Sequence, residues 1–213
     1  LPALLSFAFP ILLSNIFQQL YNTSDVMIVG RFLGQKSLAA VGATSAIFDL
    51  IVGFAVGVGN GMGIIIARKY GAKNEDQLRK SVAATAIIGC ILSLFVIFIG
   101  AVGLFPLLQF LGTPSAIVSQ SYLYIATIVN GVAVTFAYNL CAGLLRAVGD
   151  SLAALYFLII AAILNILLDL YFITQLHLGV QSAGIATIIA QSFSALLCFF
   201  YIRKKVPFLL PSR

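Results

Sequence analysis

Residues 81–104 read SVAATAIIGCILSLFVIFIGAVGL, twenty-four positions without a charged side chain. A helix crosses the bilayer core with about 20 mostly apolar residues, so this segment is long enough to span. An outer-membrane strand would show about 10 residues of alternating character, and this run does not alternate. Five further runs of the same kind lie at about 3–30, 38–67, 116–143, 152–174 and 182–202. Over the 213 residues, 62% are hydrophobic and 8% are charged. A soluble domain carries about 25% charged and 45–50% apolar residues, so a soluble globule and a disordered chain are both excluded. Three cysteines are too few for a disulfide scaffold. The fold class is therefore an all-α membrane protein with six transmembrane helices.

The breaks between spans carry turn residues and most of the charge. Gly34 lies between Arg31 and Lys36, Pro106 and Gly112-Thr113-Pro114 bracket the third break, and Gly149-Asp150 precedes Ser151, a candidate cap for the fifth helix. After spans two, four and six come Arg68, Lys69, Lys73, Arg79 and Lys80, then Arg146, then Arg203, Lys204, Lys205 and Arg213, ten basic residues in all. The other three breaks hold only Arg31 and Lys36. The positive-inside bias puts the basic side, and with it both termini, in the cytoplasm. The net charge of +6 follows from this loop bias. A nucleic-acid partner is not expected, because no basic stretch is interleaved with aromatics. Cys90, Cys141 and Cys198 fall in apolar spans without metal-ligand spacing and read as small buried hydrophobes, and His177 reads as an exposed turn residue.

The first span is unusual for a lipid-facing helix. From Ser14 to Asp25 nine of twelve side chains carry a polar atom, and such groups need partners inside a membrane. Gln18, Tyr21, Asn22 and Asp25 fall at i, i+3, i+4 and i+7 and share a face. That face lines a water-filled cavity or an interior polar network. Pro10 is expected to bend the helix, as a static kink or as a hinge near a gated cavity. Asp25 is a functional candidate because it is ionisable within a span, able to take up a proton or hold a small cation.

Span five supplies a second carboxylate. Asn165 and Asp169 are four apart on one face. At 1.5 Å per residue Asp169 lies roughly 27 Å from Ser151, and Asp25 roughly 33 Å from Ala3 before any bend, so both fall in the outer half of the bilayer. Thr187, entering with span six, has similar depth. Two carboxylates, an amide and a hydroxyl make an oxygen-rich pocket suited to Na⁺ or to a shared proton, and the spacing alone does not choose between them. A purely structural hydrogen-bond network is the alternative. Asp49 reads as solvated or capping. Gly53, Gly57, Gly59, Gly61 and Gly63 in span two read as close helix packing and not as a nucleotide fingerprint, since no strand precedes them.

These pieces together resemble the amino-terminal half of a multidrug and toxic compound extrusion (MATE) transporter. The resemblance rests on Pro10 with Asp25, on the glycine-rich span two running into Ala67-Arg68-Lys69-Tyr70-Gly71-Ala72, on Gly143-Leu-Leu-Arg146-Ala-Val-Gly149-Asp150, and on Asn165-x-x-x-Asp169. It is closest to the prokaryotic branch with aspartates in that lobe. It departs at Ala142, where relatives often have an amide, and at Ala147, where Arg-Gly is usual. The resemblance implies two six-helix lobes around a central cleft, and antiport in which Na⁺ or H⁺ entry drives export of amphipathic, often cationic, compounds. It implies a cation site at Asp25, Asn165, Asp169 and Thr187, with Tyr21, Tyr124 and Asn139 joining Gln18 and Asn22 along the substrate cavity. No cofactor beyond the coupling ion, Na⁺ or H⁺, and no catalytic residue is implied. Residues 1–205 are then one lobe and 206–213 the start of a cytoplasmic inter-lobe linker. The partner is a second lobe, covalent or a second copy, in a bacterial inner membrane. Three rivals are a lipid-linked oligosaccharide flippase of the same superfamily, disfavoured because no Lys or Arg falls within a span, an intramembrane enzyme using an aspartate pair, and a structural membrane module that assembles without transporting, which leaves the two acidic side chains at matching depth unexplained.

Overall fold

The structure, a computed structural model, describes residues 2–209, with side chains from Ala8 onward except Phe208. Leu1 and residues 210–213 lie outside the described residues, so Arg213 and part of the expected linker are not covered. Seven α-helices follow in order: α1 Pro2–Leu33, α2 Gln35–Gly71, α3 Glu75–Phe110, α4 Val118–Asn130, α5 Val132–Ala147, α6 Ser151–Thr174 and α7 Gln181–Lys205, then a 3₁₀ turn at Pro207–Leu209. No strand occurs among the described residues. Helices α2, α3, α6 and α7 are each long and apolar enough to cross a membrane, and α4 with α5 can make a fifth crossing. The 32-residue α1 carries the polar run described above and passes through Pro10 without interruption.

The fourth span is not the single helix expected from 116–143. It is two helices bent by 48°. The break falls at Gly131, which is buried against α7, where a Cβ would overlap the Ile188 side chain. Its N–H is shared between the Thr127 and Ile128 carbonyls, both at 3.1 Å. Glycine both loosens a helix interior and allows this close approach.

Other boundaries follow from local chemistry. One residue, Gly34 at φ +84°, joins α1 to α2. Asn74 caps α3 by accepting from the Gln77 N–H at 3.1 Å, with Glu75 and Asp76 in the first turn. Pro106 does not end the third span as expected. Buried Leu104 and Leu108 hold the helix for one more turn, and it stops at Gly112, φ +73°, with Thr113 N–H reaching back to the Leu108 carbonyl. The cap of α6 is Asp150 and not Ser151, because the Asp150 carboxylate accepts from the Ala153 N–H at 3.1 Å.

Packing places α6 against α7 and α1, and α2 against α5. Two apolar cores occupy opposite ends of the bundle, one around Val29, Leu108, Ile125 and Val180, the other around Ile66, Leu145, Cys198 and Ile202. Along α7 the buried polar residues Thr187, Gln191 and Ser194 lie between them. Ile87, Ile91, Leu94, Phe98 and Val102 on α3 are exposed, as on a surface that a bilayer covers. Cys90 shares that exposure and is not the buried hydrophobe expected, while Cys198 is buried and Cys141 half-buried. His177 and Asp49 are exposed, Asp49 in the interior of α2 and not at a cap. The glycines of α2 divide into two sets. Gly59 and Gly63 approach the backbone of α5, whereas a Cβ on Gly53, Gly57 or Gly61 meets open space.

Candidate functional site

Tyr21, Asp25 and Val29 are spaced four apart on α1 and form its buried face. Asp25 is 8% exposed, and Asn165 and Asp169 on α6 are fully buried. Thr187 reaches them from α7. The Asn165 amide is best satisfied with its nitrogen donating to Asp25 Oδ1 at 2.6 Å and its oxygen accepting from the Thr187 N–H at 3.2 Å. The Thr187 hydroxyl donates to Asp25 Oδ2 at 3.3 Å. Asp169 faces Asp25 closely enough for one carboxyl to hydrogen-bond the other once a proton is present. Among the described residues, however, both buried Asp169 oxygens and the buried Tyr21 hydroxyl have no hydrogen-bond partner. Two facing carboxylates repel unless a cation or a proton joins them. The set consists of carboxylate, amide and hydroxyl oxygens, which fits a hard monovalent cation as well as it fits a proton. Among the described residues no His/Cys/Asp/Glu group of three suits a transition metal.

A separate cavity of about 330 Å³ opens further along α1. Ser14, Asn15 and Gln18 of α1, Asn60 of α2, and Asn139 and Arg146 of α5 form its polar walls. Asn139 donates to the Thr135 carbonyl at 2.8 Å, and Arg146 Nη2 donates to Asn60 Oδ1 at 3.2 Å. Gln18 and Asp25 are seven residues apart, roughly 10 Å along the helix.

Asp25, Asn165, Asp169 and Thr187 therefore form one cluster. Buried Tyr21 and Tyr124 flank it within electrostatic reach of both carboxyls. Gln18 and Asn139 line the cavity instead, and half-buried Asn22 is not among its lining residues. Three polar cavity residues, Asn60, Tyr138 and Arg146, were not expected. Asn60 is the only amide in span two and could have been noticed on that ground. Tyr138 had no distinguishing pattern. Arg146 was assigned to the break after span four, but α5 runs to Ala147 and turns only at Gly149, φ +91°, so Arg146 belongs to the helix and the cavity. A buried Thr135–Gln191 hydrogen bond of 2.7 Å between α5 and α7 was likewise unmarked, although Gln191 lies one turn from Thr187.

Membrane-length helices packed around buried acidic groups and a polar cavity define an all-α integral membrane protein. The MatE family model matches residues 10–171, and the chain belongs to that family. It is 32% identical over 203 residues to the probable multidrug resistance protein YoeA of Bacillus subtilis, covering 93% of this chain and 44% of that protein. It is 31% identical to the probable multidrug resistance protein YpnP of the same organism, covering 99% of this chain and 48% of that one. A crystal structure of MATE in the bent conformation superposes with a TM-score of 0.91 at 27% identity, covering 99% of this chain and 47% of its own. The chain spans about half the length of the curated relatives it matches.

Proposed function

We propose that this chain is the cation-binding lobe of an antiporter in which entry of Na⁺ or H⁺ drives export of amphipathic compounds. The observation that carries the reading is the Asp25–Asn165–Thr187–Asp169 cluster, with two buried carboxylate oxygens on Asp169 that lack any donor. An incoming cation or proton is shared by the two carboxyls and relieves their repulsion, drawing α1 toward α6 and α7. Pro10 and the polar run of α1 let that movement reshape the adjoining cavity, 330 Å³ in the state described. Coupling then arises because the ion and the exported compound favour different arrangements of α1.

The remaining parts of the reading follow the loop charges and the length. The basic side of the lobe faces the cytoplasm of a bacterial inner membrane, and the lobe works with a second six-helix lobe, covalent or supplied by a second copy. The cleft between lobes carries the cargo. No catalytic step is assigned to the aspartates. The test is export of a dye by energised vesicles and growth in the presence of drug. Asp25→Asn abolishes cation-driven export while the protein still inserts and elutes as the wild type does. Undiminished export by that variant overturns the proposal.

A further inference from the structure

The cavity next to the carboxylate cluster has the opposite polarity. Its one charged side chain is Arg146, accompanied by the amides of Asn15, Gln18, Asn60 and Asn139, and no carboxylate lines it. Arg146 is half-buried, and among the described residues one of its five N–H donors is used, on Asn60. Among the described residues it has no acidic partner, the ion pair found being Lys80–Asp76 on the surface. Asp150, four residues on, is engaged elsewhere: one oxygen caps α6 and the other accepts from Tyr201 at 2.8 Å. A half-buried guanidinium is costly without a counter-charge, and neutral amides meet only part of that demand. Its planar fork matches the two oxygens of a carboxylate or phosphate.

We infer that Arg146 and Asn60 form a subsite for the anionic group of an amphipathic ligand. The compounds accepted then include zwitterions and monoanions as well as cations. The apolar portion lies against Ile11, Val56 and Leu158, and the anionic oxygens replace water on the free donors of Arg146. The inference deepens the transport reading and rests on it only for calling the ligand cargo. Binding at Arg146 is measurable whether or not export is seen.

The test uses two dyes that differ at one group. Rhodamine 110 carries a free carboxylate, and rhodamine 123 is its methyl ester. Fluorescence anisotropy with the protein in phosphatidylcholine nanodiscs is expected to give tighter binding of the acid by on the order of tenfold, the scale of a charge-assisted hydrogen-bond pair. Arg146→Gln removes the preference while still binding the ester, which shows that the variant is folded. Arg146→Lys keeps the charge without the fork and retains a reduced preference. A preference that is present in zwitterionic phosphatidylcholine and disappears when the nanodiscs contain phosphatidylglycerol assigns the same subsite to the headgroup of an anionic lipid. The acid-to-ester ratio is read by equilibrium binding in the absence of any ion gradient, so failure of the export reading and failure of this one are separable. Equal affinities for the two dyes, no binding of the acid, or an unchanged ratio in Arg146→Gln overturns the inference.

Discussion

The Asn165 amide nitrogen lies 2.6 Å from Asp25 Oδ1, joining α6 to α1 by a bond buried on both sides. Hydrogen bonds to charged groups contribute about 1.5–3 kcal/mol, and deleting one partner in a buried pair costs more than deleting both. Asp25→Ala, Asn165→Ala and the double variant are therefore expected to be non-additive in stability, with a coupling of about 2 kcal/mol, on the order of 4–8 °C in Tm. Thermal melts of the four proteins in one detergent measure it. Additive shifts mean that the two side chains do not interact.

Asp169 contributes two buried oxygens without donors, which is unfavourable in the ion-free protein. Ligands that bind the folded state alone stabilise it by about 2.7 kcal/mol at a hundredfold excess over Kd. Replacing choline chloride by sodium chloride, or acidifying the buffer mildly, is expected to raise Tm, and whichever does so identifies the coupling ion. Asp169→Asn supplies an amide donor toward Asp25, so its ion-free Tm rises and its response to the ion is lost. A variant that melts lower yet responds fully to the ion contradicts this account of the pair.

The legible part of this structure is the part determined by short-range pattern. Long apolar runs located the spans, and the four-residue spacing of Asn165 and Asp169, with the polar face around Asp25, brought together side chains that do meet in the fold. The bend at Gly131 was not legible, because Gly131 looks no different in sequence from Gly42 or Gly103, where a Cβ finds open space. What distinguishes it is Ile188, fifty-seven residues away. Arg146 was misplaced for a related reason. Arg146 looks like a loop charge, which closes the span at residue 143, but the helix continues to Ala147 and turns only at Gly149, and that difference of one turn decides whether the guanidinium meets headgroups or Asn60.

The contact at the bend makes a sharp prediction. A Cβ at residue 131 overlaps Ile188, and overpacking of this kind costs about 1–3 kcal/mol. Gly131→Ala is expected to lower Tm by several degrees, and adding Ile188→Ala to recover part of the loss, although Ile188→Ala alone destabilises. Gly103→Ala, where the added methyl finds open space, serves as the comparison and is expected to be neutral or slightly stabilising from helix propensity. Independent effects of Gly131→Ala and Ile188→Ala would show that the α4–α5 bend is not held by this approach of α7.

Asp150 carries two tasks at the other end of the bundle, one oxygen for each. Oδ1 accepts from the Ala153 N–H and starts α6, while Oδ2 accepts from the Tyr201 hydroxyl and ties that start to the end of α7. Loss of a helix cap costs about 1 kcal/mol, and a partly exposed hydroxyl–carboxylate bond about 1 kcal/mol or less. Tyr201→Phe removes only the second and keeps the ring against Phe157, 5.6 Å between centroids. Asp150→Ala removes both. Asp150→Asn keeps an acceptor for Ala153 while weakening the bond from Tyr201, so it should fall with Tyr201→Phe and not with Asp150→Ala. Hydrogen exchange separates the two tasks further. Asp150→Ala is expected to speed exchange through the first turn of α6, whereas Tyr201→Phe leaves that turn protected and loosens the last turn of α7. Equal exchange of the α6 start in the two variants would mean that Asp150 acts through Tyr201 alone and that the cap contributes nothing.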